Sequence, residues 1–329
     1  VLALEPGQQL SGAAWWQDAA NIRGTELTQF TARGVYALLY QREDVSVTDG
    51  SRGGLQWLPQ RAVKAFRERI AAIWDDPSVR GFLTAELTGD KTELPEGDAV
   101  AMQETGLAHL FAVSGLHCAF LVTLLSLLVS RRRRLLCAVT IPALLFYMVM
   151  VGLSPSVVRA CIMQMFLLVA PLFRRNSDPL TSLAAALLVI LLANPFAAAS
   201  VSLQLSFSAT LGMVLLSPRL YRDLTGWYKG KSRVLRHGLC FVMANLAATL
   251  SAVVFTAPLT AYYFRIFVLV APLSSLLAVP AAGWSFMTAF VTALLGFVWL
   301  PLARILGALA WVLVRYILLV AEWLMGWRY

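Results

Sequence analysis

The segment from residue 106 to residue 117 reads GLAHLFAVSGLH and opens a long apolar run, yet it carries polar side chains. These are His109, Ser114 and His117, with Gly115 between the last two. Polar groups are costly in hydrocarbon, so within a membrane they face a protein interior or a watery path. We therefore interpret this segment as the start of a functional site.

Three roles are open for these side chains. On a straight helix His109 and His117 would be separated by about 12 Å of rise and about 80° of rotation, so without a kink they cannot chelate one ion. Ser114 and His117 are three residues apart and could form a nucleophile and its base, but no acidic residue lies in the apolar runs before Glu322. The alternatives are a polar lining or helix–helix hydrogen bonds in a conduit, and a purely structural role.

Arg159 lies early in another apolar run. Ser154-Pro155 is typical of an N-cap followed by proline at the first helical position, so it predicts a helix start there. A cation near a helix N-terminus is unfavourable because that end is positive, whereas an anion is attracted to it. The sequence thus indicates either a phosphate contact or a side chain that extends to outer lipid headgroups.

A third polar group lies in the run SVSLQLSFSAT, residues 200–210. Four-residue spacing places Ser202 with Ser206, and Gln204 with Ser208, on shared faces of a helix. Such hydroxyls and amides either join helices to one another or line a pore.

The 329 residues are 59% hydrophobic and only 14% charged, whereas a soluble chain is about a quarter charged. Several runs exceed the 18 or so apolar residues of a membrane-spanning helix. We predict an all-α polytopic membrane protein with about 7–10 transmembrane or broken helices. The predicted spans are 107–129, 135–151, 156–173, 180–193, 197–216, 237–263, 266–283, 284–300 and 302–325.

Proline and glycine predict breaks in these spans. They lie at 152–156, at Asn194-Pro195, and at Pro258, Pro272 and Pro280. Broken segments are tolerated in a membrane where they are buried in protein or line a cavity, and they are typical of transport sites.

The first 106 residues are less apolar. Runs at 34–40 and 45–47, with the turn Asp49-Gly50, predict strands. Residues 1–57 are expected to be the end of a β domain whose start is missing, because the chain opens with Val1. Residues 58–106 form a connector.

Within the connector, residues 59–74 predict a basic amphipathic helix. This helix would lie on a membrane surface or pack against the β domain. Turns at Gly89-Asp90 and Pro95 follow, and residues 99–105 predict a short helix before the membrane domain, residues 107–329.

The formal charge is +9, which suits anionic lipid or nucleic acid. Basic residues cluster in every second loop, at 131–134, 174–175 and 217–236. Cytoplasmic loops accumulate Lys and Arg, so these loops are predicted to be cytoplasmic and residues 1–106 extracytoplasmic.

Motifs of ATP hydrolysis and metal binding are absent from the sequence. There is no GxxxxGK[ST] and no HExxH, and the four cysteines show no CxxC spacing. We expect no cofactor and no metal.

The segment GLAHLFAVSGLH strongly resembles the signature of the ComEC competence-protein family, the inner-membrane DNA uptake channels of naturally transformable bacteria. Further similar segments follow in the same order along most of residues 21–285. They are NIRGTELTQFTARGVYA at 21–37, LTGDKTELPEG at 87–97, PSVVRACIM at 155–163, ANPFAAASVSLQLSFSATLGM at 193–213, and TAPLTAYYF with APLSSLLAVP at 256–280.

This resemblance implies a channel component that passes single-stranded DNA into the cytoplasm during natural transformation, in a bacterial inner membrane. Its partners would be single-stranded DNA, the lipid bilayer and other competence proteins, such as an outer DNA receptor and a cytoplasmic helicase or single-strand-binding protein. The N-terminal β segment would be the end of an OB-like domain. The nuclease-like domain of full-length members is not in these residues, so no enzyme activity is expected.

The conduit residues that we predict are His109, Ser114, Gly115, His117, Arg159, Gln204 and Ser206. Two other functions remain open from the residues alone, an intramembrane hydrolase that uses Ser114 and His117 and a small-molecule permease.

Overall fold

The chain is an α-helical membrane protein with a small N-terminal β part. The computed structural model describes residues 8–22, 25–26, 28–31, 35–41, 46–48, 54, 57–111, 115–129, 133–173, 178–226, 233–265 and 270–326. The predicted turn Asp49-Gly50 lies outside these residues, and so does Ser114.

The β part consists of short antiparallel pairs. Its strands are β1 (Gln9–Ser11), β2 (Ala14–Asp18), β3 (Asn21–Ile22), β4 (Thr25–Glu26), β5 (Ala37–Gln41) and β6 (Ser46–Thr48). β1 pairs with β6, β2 with β5 and β3 with β4, and a one-turn helix α1 (Thr28–Thr31) follows β4. The two predicted strands correspond to β5 and β6, so these predictions are confirmed.

Three helices precede the membrane domain, α2 (Leu58–Ile73), α3 (Pro77–Thr88) and α4 (Glu96–Glu104). The predicted amphipathic helix is confirmed as α2. Its apolar side packs on the bundle, where the Phe66 ring stacks on Phe290 and meets Phe297 edge-on. The helix α3 was not predicted. It is buried all round from Gly81 to Thr88, because bundle helices enclose it.

The membrane domain contains nine further helices in the described residues. They are α5 (Gly115–Leu128), α6 (Arg133–Met150), α7 (Pro155–Val169), α8 (Pro179–Ala193), α9 (Val201–Leu215), α10 (Ser217–Thr225), α11 (Arg233–Phe264), α12 (Ala271–Gly296) and α13 (Leu300–Met325). Within the described part of the chain, five helical segments are long and apolar enough to cross a membrane, or six if the bent pair α9–α10 is one span.

Two predictions about the spans were wrong. The predicted spans 266–283 and 284–300 are one helix, α12, and Pro280 lies inside it. Pro258 likewise lies inside the continuous helix α11. Neighbouring helices and local adjustments can satisfy the carbonyl groups that such prolines free, so a proline in a membrane helix need not end it.

The predicted span 107–129 also begins differently. Residues 108–110 form a 3-10 turn, and α5 comprises Gly115–Leu128 within the described residues. The straight-helix geometry considered for His109 and His117 therefore does not apply.

Candidate functional site in the helical bundle

His117 is buried inside the bundle beside a carboxylate that comes from another helix. Its Nε2 atom lies 3.7 Å from Glu86 Oε1 of α3, and both side chains are buried. The other carboxylate oxygen, Oε2, accepts a 2.9 Å hydrogen bond from Ser285 Oγ of α12. We call Glu86, His117 and Ser285 the Glu86 cluster, which joins three helices.

The aromatic ring of Phe286 completes the surroundings of this cluster. The rings of His117 and Phe286 have centroids 4.6 Å apart, and the exposed fraction of Phe286 is 1%. The carboxylate and the imidazole therefore lie in an apolar setting, where a charge is costly unless it is paired.

The position of Glu86 follows from how α3 is held at its ends. Asp76 caps the N-terminus by accepting from the Ser78 N–H and also contacts Arg315 of α13. Gly89 ends the helix in the left-handed conformation, with φ of 78°, which glycine adopts without steric cost.

The loop after α3 is fastened to α2 by ion pairs. Arg67 contacts Asp90 at 2.8 Å and Glu93 at 2.7 Å. Burial raises the pKa of Asp90, but hydrogen bonds from Thr92 and the charge of Arg67 lower it further, so its pKa lies below the ordinary value. Part of the segment LTGDKTELPEG therefore fixes the position of α3 relative to α2.

Arg159 is also buried, with an exposed fraction of 8%. It lies in the second turn of α7, whose N-cap is Ser154 as predicted. Its NH1 group donates to Thr210 Oγ1 of α9 and lies 3.6 Å from Met163 Sδ, and the guanidinium is 5.9 Å from the Phe207 ring centre. The side chain points into the protein, which does not fit the second of the two alternatives considered for it, an extension to lipid headgroups.

Gly115 lies at the start of α5 beside Arg159. A Cβ added at Gly115 would be 3.5 Å from the NH2 group of Arg159. In the next turn Cys118 Sγ lies 3.5 Å from Cys161 Sγ of α7. The structure thus brings Gly115 and Arg159 together at the contact between α5 and α7, while His117 faces α3.

His109 lies apart from this contact. It is exposed in the 3-10 turn, and its Nδ1 atom is 2.9 Å from the Gly106 carbonyl oxygen. Its placement on the outside separates it from the buried Glu86 cluster.

Gln204 and Ser206 lie on α9, the helix that also carries Thr210. The Gln204 side chain donates to the Ala198 carbonyl and accepts a 2.8 Å hydrogen bond from Tyr263 Oη of α11. Ser206 accepts from Thr210 Oγ1 through its backbone carbonyl. The Gln204 amide therefore joins α9 to α11.

One cleft formed by described residues lies apart from these side chains. It is an open cleft of about 470 Å³ between the α2–α3 junction and α13, and Trp74, Asp76 and Trp311 are among its lining residues. None of the predicted conduit residues lines it. Across the described residues, no group of three or more His, Cys, Asp or Glu side chains could hold a metal ion.

Glu86 and Ser285 were missed in the sequence. Glu86 is separated from His117 by 31 positions and lies in a helix that is too short to be recognised as a membrane element. The available signal was a lone carboxylate in the otherwise apolar or hydroxyl-bearing run FLTAELT, residues 82–88.

A multi-pass helical bundle with a buried carboxylate–imidazole contact and a buried arginine defines a class of membrane proteins with a polar interior, as transporters and channels have. The chain matches the family of competence proteins over residues 87–328 and belongs to that family. This match covers every helix from α4 to α13 and supports a role in competence.

One relative is the ComE operon protein 3 of Bacillus subtilis (strain 168). It is 31% identical over 144 residues, an alignment that covers 43% of this chain and 19% of the relative. The chain thus aligns with about a fifth of that protein. No solved structure matches the chain.

Proposed function

We propose that this chain is a membrane channel component that passes single-stranded DNA into the cytoplasm during natural transformation. Membership of the competence-protein family supports a role in competence. The observation that carries the proposal is the buried guanidinium of Arg159, on α7 close to the start of α5.

Arg159 has only neutral partners among the described residues, namely Thr210, Met163 and the ring of Phe207. Its Nε atom is buried without a hydrogen-bond partner in that part of the chain. An unpaired buried charge costs several kcal/mol in a real protein, so a cation here favours an anion. A DNA backbone offers one phosphate for every nucleotide.

The start of α5 adds to this preference. Helix N-termini attract anions because backbone N–H groups point outward there and the helix dipole is positive. Gly115, at the described start of α5, lies beside this guanidinium, since a Cβ added there would be 3.5 Å from the NH2 group of Arg159. The start of α5 and the buried cation are therefore adjacent, and both favour an anion.

The orientation that fits this role places residues 1–106 outside the cytoplasm and the basic loops inside, in the inner membrane of a bacterium. The support is the distribution of Lys and Arg between alternate loops, including Arg219 and Arg222 of α10. A DNA receptor would deliver the strand from outside, and a helicase or single-strand-binding protein would receive it. The proposal assigns no catalytic step to this chain.

The test is a transformation assay in a transformable bacterium that expresses the full-length protein. We expect Arg159→Gln to reduce transformation by about tenfold or more, equivalent to about 1.4 kcal/mol, and Arg159→Lys to reduce it less because the charge remains. The control is Arg61→Gln, which removes an exposed cation of α2. Wild-type transformation by Arg159→Gln at equal membrane abundance would overturn the proposal.

The Glu86–His117 contact favours one alternative, an intramembrane hydrolase. It supplies the carboxylate that a Ser114–His117 pair would need to orient its base, although Ser114 lies outside the described residues. Ser285 donates to the carboxylate rather than to the imidazole, so it is not arranged as a nucleophile. A phosphonate adduct at Ser114 that is lost in His117→Gln would favour the hydrolase over the conduit.

A further inference from the structure

The conduit proposal leaves the carboxylate of Glu86 without a role. Glu86 is fully buried, with an exposed fraction of 0%, and its Oε1 atom has no hydrogen-bond partner among the described residues. His117 Nε2 lies 3.7 Å from that oxygen. Ionisable residues inside membrane domains are costly and typically mark ion pathways or proton relays.

The charge of the pair depends on a single proton. With one proton bound, on Nε2 or on Oε1, the pair is neutral overall, either as carboxylate and imidazolium or as acid and imidazole. Without that proton the pair carries one net negative charge in an apolar setting. Burial therefore favours the protonated pair as long as the bundle stays closed around it.

Each neighbouring helix contributes few other titratable groups. From α6, Tyr147 lies buried and close enough to interact electrostatically with Glu86. Cys118 of α5 and Cys161 of α7 are adjacent to that tyrosine, and Arg159 lies beyond Cys118.

The charged groups at the two ends of α3 are already paired. Asp76 pairs with Arg315 of α13 at one end, and Arg67 of α2 pairs with Asp90 after the other. Arg80 of α3 itself contacts Glu93. The helix α12 contains no Asp, Glu, Lys, Arg or His, so from that side the Ser285 hydroxyl is the polar contact.

We propose that Glu86 and His117 form a proton-binding site in the interior of the membrane domain, with Ser285 as a positioning residue. The proton comes from water, is held between His117 Nε2 and Glu86 Oε1, and returns to water when the helices separate. The site lies where α3, α5 and α12 meet, so proton loss would leave a buried negative charge at this three-helix contact and favour its opening.

This site could couple strand passage to proton movement, an extension that rests on the proposed function. The helix α5 links the two features, because it carries His117 on its side toward α3 and Gly115 beside Arg159. A change in the packing of α5 against α3 would therefore reach the Arg159 contact within one turn of the same helix.

The first experiment is a pH titration of the ring ¹⁵N signals of histidine-labelled protein in lipid bilayers. The chain has 3 histidines, and the exposed His237 serves as the internal reference while His117→Gln assigns the buried ring. We expect the His117 ring signals to report the single proton that the Glu86–His117 pair holds, so that their pH response differs from that of the exposed His237.

Two variants should move the His117 midpoint in opposite directions. Glu86→Gln removes the carboxylate and should lower the proton affinity about tenfold or more. Ser285→Ala removes the donor that stabilises the carboxylate and should raise the affinity. The control is Glu68→Gln, which removes an exposed carboxylate of α2 and should change nothing. A pH response of His117 that is the same as that of His237, or one unmoved by Glu86→Gln, would overturn the proposal.

The second experiment measures transformation by the full-length protein. We expect Glu86→Gln to reduce transformation about tenfold at equal membrane abundance, with Glu68→Gln at the wild-type level. Normal transformation by Glu86→Gln, together with the expected titration, would refute the coupling alone. The DNA conduit itself is tested separately at Arg159.

Discussion

The guanidinium of Arg159 on α7 donates a hydrogen bond to the hydroxyl of Thr210 on α9, and that hydroxyl donates in turn to the Ser206 carbonyl oxygen. The Thr210 hydroxyl thus links the buried guanidinium of Arg159 to the backbone of α9 through two consecutive hydrogen bonds. It is the one oxygen acceptor for Arg159 among the described residues, so the cation depends on it.

Replacing Thr210 with valine keeps the shape of the side chain and removes that acceptor. A buried donor that loses its partner costs about 1–3 kcal/mol, and more when it is charged. We expect the free energy of unfolding in detergent micelles to fall by at least that amount. The matched control is Thr123→Val, because the hydroxyl of the exposed Thr123 donates to the Ala119 carbonyl of its own helix. Equal stabilities of the two variants would contradict the role of Thr210.

Helix starts were predictable here because their signals are local. Ser154-Pro155 opens α7 and Asp178-Pro179 opens α8, and the Asp178 side chain accepts from the Thr181 N–H. Capping requires only residues within one turn of each other. Hence these boundaries could be predicted from the sequence.

The buried helix α3 and its carboxylate were not predictable in the same way. A helix that is enclosed on every side shows no polar face, so its hydrophobic periodicity is weak. The contacts of Glu86 join it to His117 and to Ser285, which is 199 positions away. Such contacts depend on how the helices pack and leave no pattern in the local sequence.

Gly212 allows α9 and α11 to approach closely. A Cβ at this position would lie 2.4 Å from the Ser251 carbonyl oxygen and 2.8 Å from Phe255. Gly212→Ala should therefore force the two helices apart and cost about 1–3 kcal/mol, as overpacking does, measured by unfolding in micelles.

The matched control for Gly212 is Gly238→Ala in α11. Nothing lies within 4 Å of a Cβ added at Gly238, so the substitution should stabilise the helix by about 0.5–1 kcal/mol. Gly212→Ala should thus lower the free energy of unfolding, and Gly238→Ala should raise it. A neutral Gly212→Ala would show that α9 and α11 pack less closely than described.

The amide of Gln204 has both of its described hydrogen bonds within the protein, to Ala198 and to Tyr263. Of the two roles predicted for it, we therefore expect helix joining. Gln204→Leu and Tyr263→Phe should each reduce stability, with a coupling energy in a double-mutant cycle of about 0.6 kcal/mol, typical of hydrogen bonds between membrane helices. A coupling near zero, with transformation reduced only by Gln204→Leu, would favour the lining role instead.

Asp90 makes the stability depend on pH. Its pKa in the folded protein lies below the ordinary value, so the ionised form stabilises the fold above the unfolded pKa of about 3.9. That contribution is lost as the pH falls through the lower, folded pKa. We expect Asp90→Asn to cost about 1 kcal/mol at pH 7 and little at strongly acidic pH, measured by thermal unfolding. Asp75→Asn, at an exposed position, should show no such pH-dependent difference.

The orientation of the helices after α8 depends on whether α8 crosses the membrane. It has 15 residues, which span about 22 Å, whereas the hydrocarbon core is about 30 Å thick. The 3-10 segment Pro195–Ala199 follows and adds about 10 Å at about 2 Å per residue. If the two segments cross together, α9 returns to the cytoplasm and α10 lies there.

Cysteine labelling at two positions distinguishes a crossing from a re-entrant loop. In a background that lacks the 4 native cysteines, Leu153→Cys should react with an impermeant maleimide in intact spheroplasts, because the proposed orientation places the α6–α7 loop outside. Arg222→Cys on α10 should react only in inverted vesicles, since it follows the positive-inside pattern. Reaction of both cysteines on the same side would mean that α8 enters and leaves the membrane by one face. In that case α9 would run outward. The basic residues of α10 would then lie at the proposed entrance for DNA rather than at its exit.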